Sequence, residues 1–315
     1  MLDRIATSTT YSSLLANLTT AQASETKASN QLSSGENATD LKGYAGQAET
    51  LTAMQAVQAQ TTGYLNQSQI TAAKLSTQDL AFTQLNDSAS GGAQAITEAI
   101  GEGSGETLMQ SLNSEFQTAV SGLNTTYNGE YIFSGGQVNT PATSATNLTD
   151  LASAASVSSL FNNDQHVATT QLTSNSSVQT GFLASNLGTN LYTTFQAIAQ
   201  YNAGPNGPFG NPLTAAQTSF LQSQLSSFQS ANTQLTNNQA QNGLVQQQVT
   251  NAQTELTDQQ TTMTGLINNI TQVNTAQAVV NLQQAQQAVE AAAQAFNAVN
   301  TSSSYLLSVL QTTPA

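Results

Sequence analysis

The chain of 315 residues has no cysteine and no tryptophan, and it has one histidine, His166. Without cysteine, neither a disulfide nor a thiolate metal site can form. A metal centre needs several ligands of suitable type, and a hydrolytic triad needs a histidine base beside its nucleophile. His166 lies in a polar stretch, where we expect a solvated side chain. The sequence therefore predicts no metal, no cofactor and no enzymatic activity.

Charged residues are also scarce, at 7% of the chain against roughly a quarter in ordinary soluble domains. The basic residues are Arg4, Lys27, Lys42 and Lys74, and the formal net charge is -13. Nucleic-acid binding and attraction to anionic membranes both need clustered Lys and Arg. We therefore expect neither kind of partner.

Long apolar runs are missing as well. No stretch of about 18 apolar residues could form a membrane-spanning helix. The first residues, Met1–Ile5, are not followed by the apolar segment and cleavage site of a secretory signal peptide. If the protein is extracellular, we expect another export route.

What the sequence does have is helical periodicity in its first part. We predict helices over residues 3–33, 44–100 and 106–128. The stripe on the first helix has a spacing of three and four residues, with Glu25 as its polar exception, and consists of Leu14, Leu18, Ala21, Ala28 and Leu32. Gly35 is predicted to end that helix, because glycine adopts the left-handed conformation of a C-terminal cap at little cost. The glycines of residues 101–105 are predicted to break the second helix.

The middle of the chain differs from its ends. Asn128-Gly129 predicts a turn before the short β-prone run at 131–133. Residues 137–190 are rich in Thr, Ser and Asn and have no helical period, with possible strands at 167–172 and 178–182. A short helix over 190–202 and a Gly/Pro-rich loop at 204–210 follow. We expect a small β or irregular domain here.

The C-terminal third carries a heptad pattern, which predicts a helix that packs along another helix. The pattern is strictest over the last segment, where the positions are Leu282, Ala285, Val289, Ala292, Phe296, Val299, Ser303, Leu306 and Leu310. The predicted fold class is therefore mainly α: a long antiparallel helical bundle or coiled coil built from both termini, around the central domain.

Apolar stripes at both chain ends suggest assembly, since each buried Leu or Val is worth roughly 1.5–3 kcal/mol. The predicted assembly interface consists of Ile5, Leu14, Leu18, Leu32, Leu282, Val289, Phe296, Val299, Leu306 and Leu310. Heptads do not say which helix is the partner. An antiparallel bundle within one chain stays open beside coverage by neighbouring copies.

Two short segments resemble the bacterial flagellin family. Residues 32–40, with Gly35 and Asp40, are similar to the turn after the family's first helix. Residues 129–141, which contain Tyr131, Phe133 and Gly135, are similar to a segment more typical of the family's hook–filament junction members than of filament flagellin. The resemblance covers about 1–136 and 213–310. It departs near Asn274, where the family commonly has an acidic residue.

The resemblance implies a structural subunit of the flagellum, outside the cell, that polymerises through its terminal helices after type III export. It also implies homo-oligomers, contacts with hook-associated proteins and flagellin, and an export chaperone. The implied division is 1–43 assembly helix and turn, 44–136 rod, 137–212 variable domain, 213–275 rod and 276–315 assembly helix. Filament flagellin and a secreted coiled-coil effector or translocator are the alternatives.

Overall fold

The computed structural model describes the backbone of residues 2–311 and the side chains of residues 9–301. The helices are α1 Leu2–Ser34, α2 Ala48–Glu102, α3 Leu108–Leu123, α4 Leu148–Ser153, α5 Ala184–Ala203, α6 Ala215–Thr271 and α7 Thr275–Gln311. Two antiparallel strand pairs are β1 Thr126–Tyr127 with β2 Glu130–Tyr131, and β3 Thr169–Thr173 with β4 Ser176–Gln179. Two 3-10 helices lie at Leu41–Gln47 and Val157–Leu160. The prediction of a mainly α fold is confirmed.

The chain divides into two compact units. We call residues 1–59 with 260–315 the terminal unit, and residues 60–259 the central unit. Because α2 and α6 run through both ranges, each helix contributes residues to both units. The five-part division drawn from the sequence stays a prediction.

Glycines end two of the long helices as the sequence predicted. At the end of α1, Gly35 has a φ of 74° and its N–H donates to the Gln31 carbonyl at 3.0 Å. At the end of α2, Gly103 has a φ of 65°, and Ser104 N–H donates to Ala99 O at 3.1 Å. Both arrangements satisfy carbonyls that a helix end leaves without a partner.

The predicted end of the third helix at residue 128 is wrong, because α3 ends at Leu123. The next residues form the β1–β2 hairpin, in which Thr126 pairs with Tyr131. Asn128 and Gly129 have φ angles of 53° and 85°, as a two-residue hairpin turn of this type requires. The turn was therefore predicted correctly, but the residues before it belong to the hairpin and not to the helix.

The short helix predicted over 190–202 is longer, since α5 begins at Ala184. Gly188 interrupts the sequence pattern, yet it lies inside α5. A Cβ there would lie 2.9 Å from Leu123 and 3.0 Å from Phe161. The glycine therefore allows α5 to pack closely and does not break it.

The core of the central unit contains most of the large buried side chains. Its fully buried aromatic residues are Phe82, Phe116, Phe133, Tyr192, Phe195 and Phe228. Residues from the polar middle join the same core, among them Leu148, Leu151 and Val157. The β3–β4 hairpin covers a smaller cluster, in which Leu172 packs with Leu75 and Val249.

Candidate assembly interface of the terminal helices

Helices α1 and α7 pack antiparallel within one chain. Near the start of α1, the Tyr11 ring lies 4.8 Å from the Phe296 ring, measured between centroids. At the other end, Val273 N–H donates to the Gly35 carbonyl at 3.0 Å. The apolar stripes predicted for the two chain ends therefore meet each other in this structure.

The pairing covers the small side chains of the seam and leaves the large ones half-covered. The buried positions are alanines: Ala21, Ala28, Ala278 and Ala285. The half-buried positions are Leu14, Leu18, Leu282, Val289, Phe296 and Val299. A buried alanine lets two helices approach closely but removes little apolar area from water. Part of the apolar area of this seam therefore still faces solvent.

The remaining predicted interface residues are not all placed on the seam. Leu32 is exposed, at 37% of its surface. The side chains of Ile5, Leu306 and Leu310 lie outside the described residues. Glu25, the polar exception on the stripe, is half-buried. Whether these positions contact neighbouring copies stays a prediction.

A second group of apolar residues on the terminal unit lies outside the predicted assembly interface. They are at least 40% exposed: Leu15, Leu41, Val57, Leu266, Val279 and Val280. Leu15, Leu41, Val57 and Val279 lie off the predicted stripes, whereas Leu266 and Val280 belong to the apolar pattern of spacing three and four that runs from Val249 to Val280. Pairs such as Val279-Val280 give a sequence signal, since two adjacent valines cannot face the same side of a helix.

The turn after α1 is held against the junction of α6 and α7. The Asn37 backbone N–H donates to Thr271 O at 2.7 Å, and its side-chain amide donates to Ile270 O at 2.9 Å and Gln272 O at 3.0 Å. Gln31 donates to Asn37 O at 2.7 Å. Four hydrogen bonds on one asparagine fix where α1 ends beside α7, a role that the sequence did not reveal.

Capping residues set the starts of the helices that follow these turns. The Asp40 carboxylate accepts from Gly43 N–H at 2.8 Å, which caps the 3-10 helix at Leu41–Gln47. Asn274 Oδ1 accepts from Gln277 N–H at 3.1 Å and so caps the first turn of α7. Asparagine is among the strongest N-cap residues. Helix α7 therefore keeps an N-cap, although the family commonly has an acidic residue near this position.

The second motif lies in the central unit. Phe133 is fully buried, with its ring 5.9 Å from that of Phe82, and Tyr131 is half-buried. Gly135 has a φ of 66°, a left-handed backbone conformation that glycine adopts at little cost. This conformation explains why a glycine occupies the position. The motif is thus largely a packing and turn element of this unit, and it does not lie with the terminal helices.

Asp164, which sequence reasoning missed, holds that turn from 28 residues further along the chain. Its carboxylate accepts from Gly136 N–H at 2.9 Å and from His166 N–H at 2.8 Å. These backbone hydrogen bonds lower the pKa of Asp164 from its usual value. A Cβ on Gly136 would lie 2.7 Å from the carboxylate, so the carboxylate closely approaches this glycine.

His166 is exposed. The described residues contain no group of His, Asp and Glu arranged to hold a metal ion. Among the same residues, no helix has both the length and the apolarity that crossing a membrane requires.

Solved structures with a similar fold support this architecture. A Vibrio parahaemolyticus protein described as a flagellar hook-associated protein aligns with a TM-score of 0.58 at 11% identity, over 71% of this chain and 97% of its own. Bacillus cereus FlgL aligns with a TM-score of 0.53 at 13% identity, over 70% of this chain and 99% of its own. At such identities the likeness shows the fold.

Two models of protein families match the sequence. The bacterial flagellin N-terminal helical region matches residues 5–138, and the bacterial flagellin C-terminal helical region matches residues 225–310. The comparison with curated proteins found no match to this sequence. The two matched regions contain nearly all of α1, the whole of α2 and α3, most of α6 and nearly all of α7, and together they span more than half of the chain. The chain therefore belongs to the bacterial flagellin family.

Proposed function

We propose that this chain is a structural subunit that joins the hook of the bacterial flagellum to its filament. Its terminal helices polymerise helically, outside the cell, after unfolded export through the flagellar type III channel. The proposal gives the chain a structural and not a catalytic role.

The observation that carries the proposal is the half-covered seam between α1 and α7. Six large apolar side chains on this seam stay partly exposed. Completing their burial recovers only a part of the roughly 1.5–3 kcal/mol of a fully buried side chain, about 0.5 kcal/mol for each, so about 3 kcal/mol per subunit is available to a neighbouring copy. The seam contains few charges, which keeps the cost of desolvating ions low.

The central unit does not need such a neighbour, because it has its own core. Phe82, Phe195 and Phe228 are fully buried within it. This contrast supports a division of roles in which the terminal helices assemble and the central unit folds alone. It also supports capture of the C-terminal helix by an export chaperone before assembly, since an apolar face would otherwise be exposed in the cytoplasm.

The hook–filament junction is favoured over the filament by the segment from Gly129 to Gly136. The two solved structures described above, one named as hook-associated and the other as FlgL, support the same choice. We therefore propose hook-associated proteins and flagellin as its neighbours. Filament flagellin is the second candidate, because both family models are described as flagellin.

Deletion of residues 282–315 tests the assembly role. We expect the deletion strain to lose motility, while the purified central unit keeps its secondary structure by circular dichroism. A matched pair of point variants sharpens the test. Phe296→Ala removes a seam side chain and should impair motility, whereas Gln294→Ala, at an exposed position on the same helix, should not. A deletion strain that swims normally would refute the proposal.

The location of the protein in the flagellum distinguishes a junction subunit from a filament flagellin. Immunogold labelling of isolated flagella should place the protein in a narrow band where hook and filament meet. Label along the whole filament would instead assign the chain as the filament subunit.

A further inference from the structure

Lys74, on α2, is the only basic residue of the central unit. It is half-buried, and no described carboxylate is close enough to form an ion pair with it. A lysine without a charged partner in its own chain keeps its ammonium available to an anion, and the partial burial of the side chain limits how far water can screen such an interaction. The same unit carries many carboxylates, so the absence of a partner for this one cation requires an explanation.

Lys74 lines a largely enclosed cavity of about 50 Å³. The β1–β2 hairpin and its following residues supply one wall, through Tyr127, Glu130 and Tyr131. A single water needs roughly 10–15 Å³ on this measure, so the cavity holds a few waters or one small molecular group. The family-like segment at 129–136 therefore partly encloses the space beside the lone ammonium.

The lining chemistry suits a small anion with one negative charge. Lys74 offers a charged donor, and the hydroxyls of Tyr127 and Tyr131 are neutral donors. Phe182 adds an apolar wall that would strengthen the electrostatic interaction. Glu130 also lines the cavity, and its negative charge disfavours a dianion more than a monoanion. His166, at the rim, is a further possible donor.

We propose that this cavity binds a carboxylate, with the Lys74 ammonium as its charged partner and the tyrosine hydroxyls as further donors. A carboxylate is planar, carries a single charge and is small enough for the space. Two sources share this chemistry: a free organic acid, and an Asp or Glu side chain of a second copy. The chain has 17 acidic residues and a net charge of -13, so the second source is abundant in any assembly.

Acetate titration of the full-length protein tests the proposal. The methyl group of Ile132, which lines the cavity, is followed by NMR at constant ionic strength, with chloride replacing acetate in the control. The buried Ile96 serves as an internal reference. We expect a saturable shift of the Ile132 signal alone. No acetate-specific shift at Ile132 would overturn the proposal.

Variants test whether the shift of the Ile132 signal arises from acetate bound in the cavity. Lys74→Gln should weaken acetate binding by about tenfold or more, since it removes a charged hydrogen-bond donor, and Tyr131→Phe should weaken it about fivefold. Lys74→Arg keeps the charge and should retain most of the binding. Lys42→Gln, in the terminal unit, should bind like the wild type. Equal binding by Lys74→Gln and the wild type would overturn the proposal.

Sedimentation then distinguishes the two sources. If a second copy supplies the carboxylate, acetate should weaken self-association of the wild type and of Lys74→Arg, but not of Lys74→Gln. If acetate binds and leaves the association of the wild type unchanged, the source is a free acid. Absence of acetate binding would reject both sources, whatever the effect of Lys74→Gln on association.

Discussion

Two glycines on α2, Gly63 and Gly92, should respond in opposite ways to the same change to alanine. Both lie inside the helix and within the central unit. A Cβ on Gly63 would meet no atom within 4 Å, whereas a Cβ on Gly92 would lie 2.6 Å from two atoms of the Phe228 ring. Phe228 is fully buried, with its ring 4.9 Å from that of Phe195, so it has little freedom to move away.

The magnitudes follow from these surroundings. Gly63→Ala should stabilise the protein by about 1 kcal/mol, the difference in helix propensity. Gly92→Ala gains the same amount but overpacks a tight core at a cost of about 1–3 kcal/mol. Its net effect should therefore be a loss of up to about 2 kcal/mol, and the two variants should differ by about 1–3 kcal/mol.

Urea unfolding followed by circular dichroism measures the difference directly, because the midpoint moves with stability while the slope stays constant. The identical chemistry of the two changes cancels helix propensity from the comparison. If Gly92→Ala proved as stable as Gly63→Ala, the close packing of α2 against Phe228 would be wrong.

Variants at two further positions, Glu115 and Asn274, test single interactions. Glu115 has a raised pKa, first because burial removes its hydration and second because Asp87 lies nearby. When a carboxyl group has a higher pKa in the folded protein than in the unfolded protein, its protonated form favours folding. This contribution to the free energy of unfolding is lost as the pH rises through the pKa of the folded state. Glu115→Gln should therefore stabilise the protein at pH 7 by less than about 1 kcal/mol, because solvent screens the partly buried group. The gain should shrink as the pH falls through the raised pKa of Glu115 and vanish below the ordinary value of 4.5, and a gain that grew toward acid would contradict this cause. Asn274→Ala removes the cap of α7 and should cost about 1 kcal/mol of local helix stability, whereas Asn274→Asp should keep it, since a carboxylate also suits a helix N-terminus. Amide exchange of the first turn of α7 would show this, and equal protection in both variants would contradict the capping role.

Local sequence signals predicted the long helices and several of their ends, but not α4, which lies in the polar middle where no helical period is present. Gly35 and the Gly101–Gly105 stretch were recognised because glycine has a specific conformational role at helix ends. Asn128-Gly129 was recognised as a turn for the same kind of reason. In contrast, Gly188 and Gly92 lie in helices because of close packing from distant residues, and no local pattern encodes that.

Contacts between distant parts of the chain limited the prediction of the site. Asp164 holds Gly136 across a stretch that has no period and no motif, so nothing in the sequence joins the two residues. Asn37 is similar, since its partners at the α6–α7 junction are more than 230 residues away. The heptads revealed which faces are apolar, but a stripe alone could not show that α1 and α7 would meet within one chain and leave their larger side chains half-covered.

Cysteine labelling tests most directly whether neighbouring copies complete the cover of the terminal helices. The chain has no cysteine, so a single introduced residue reports on one place. Leu15→Cys and Val280→Cys lie at positions that are 47% and 43% exposed in the single chain. Both should react quickly with a maleimide in the monomer and slowly in assembled flagella. Equal reaction rates in the two states would contradict assembly through these helices.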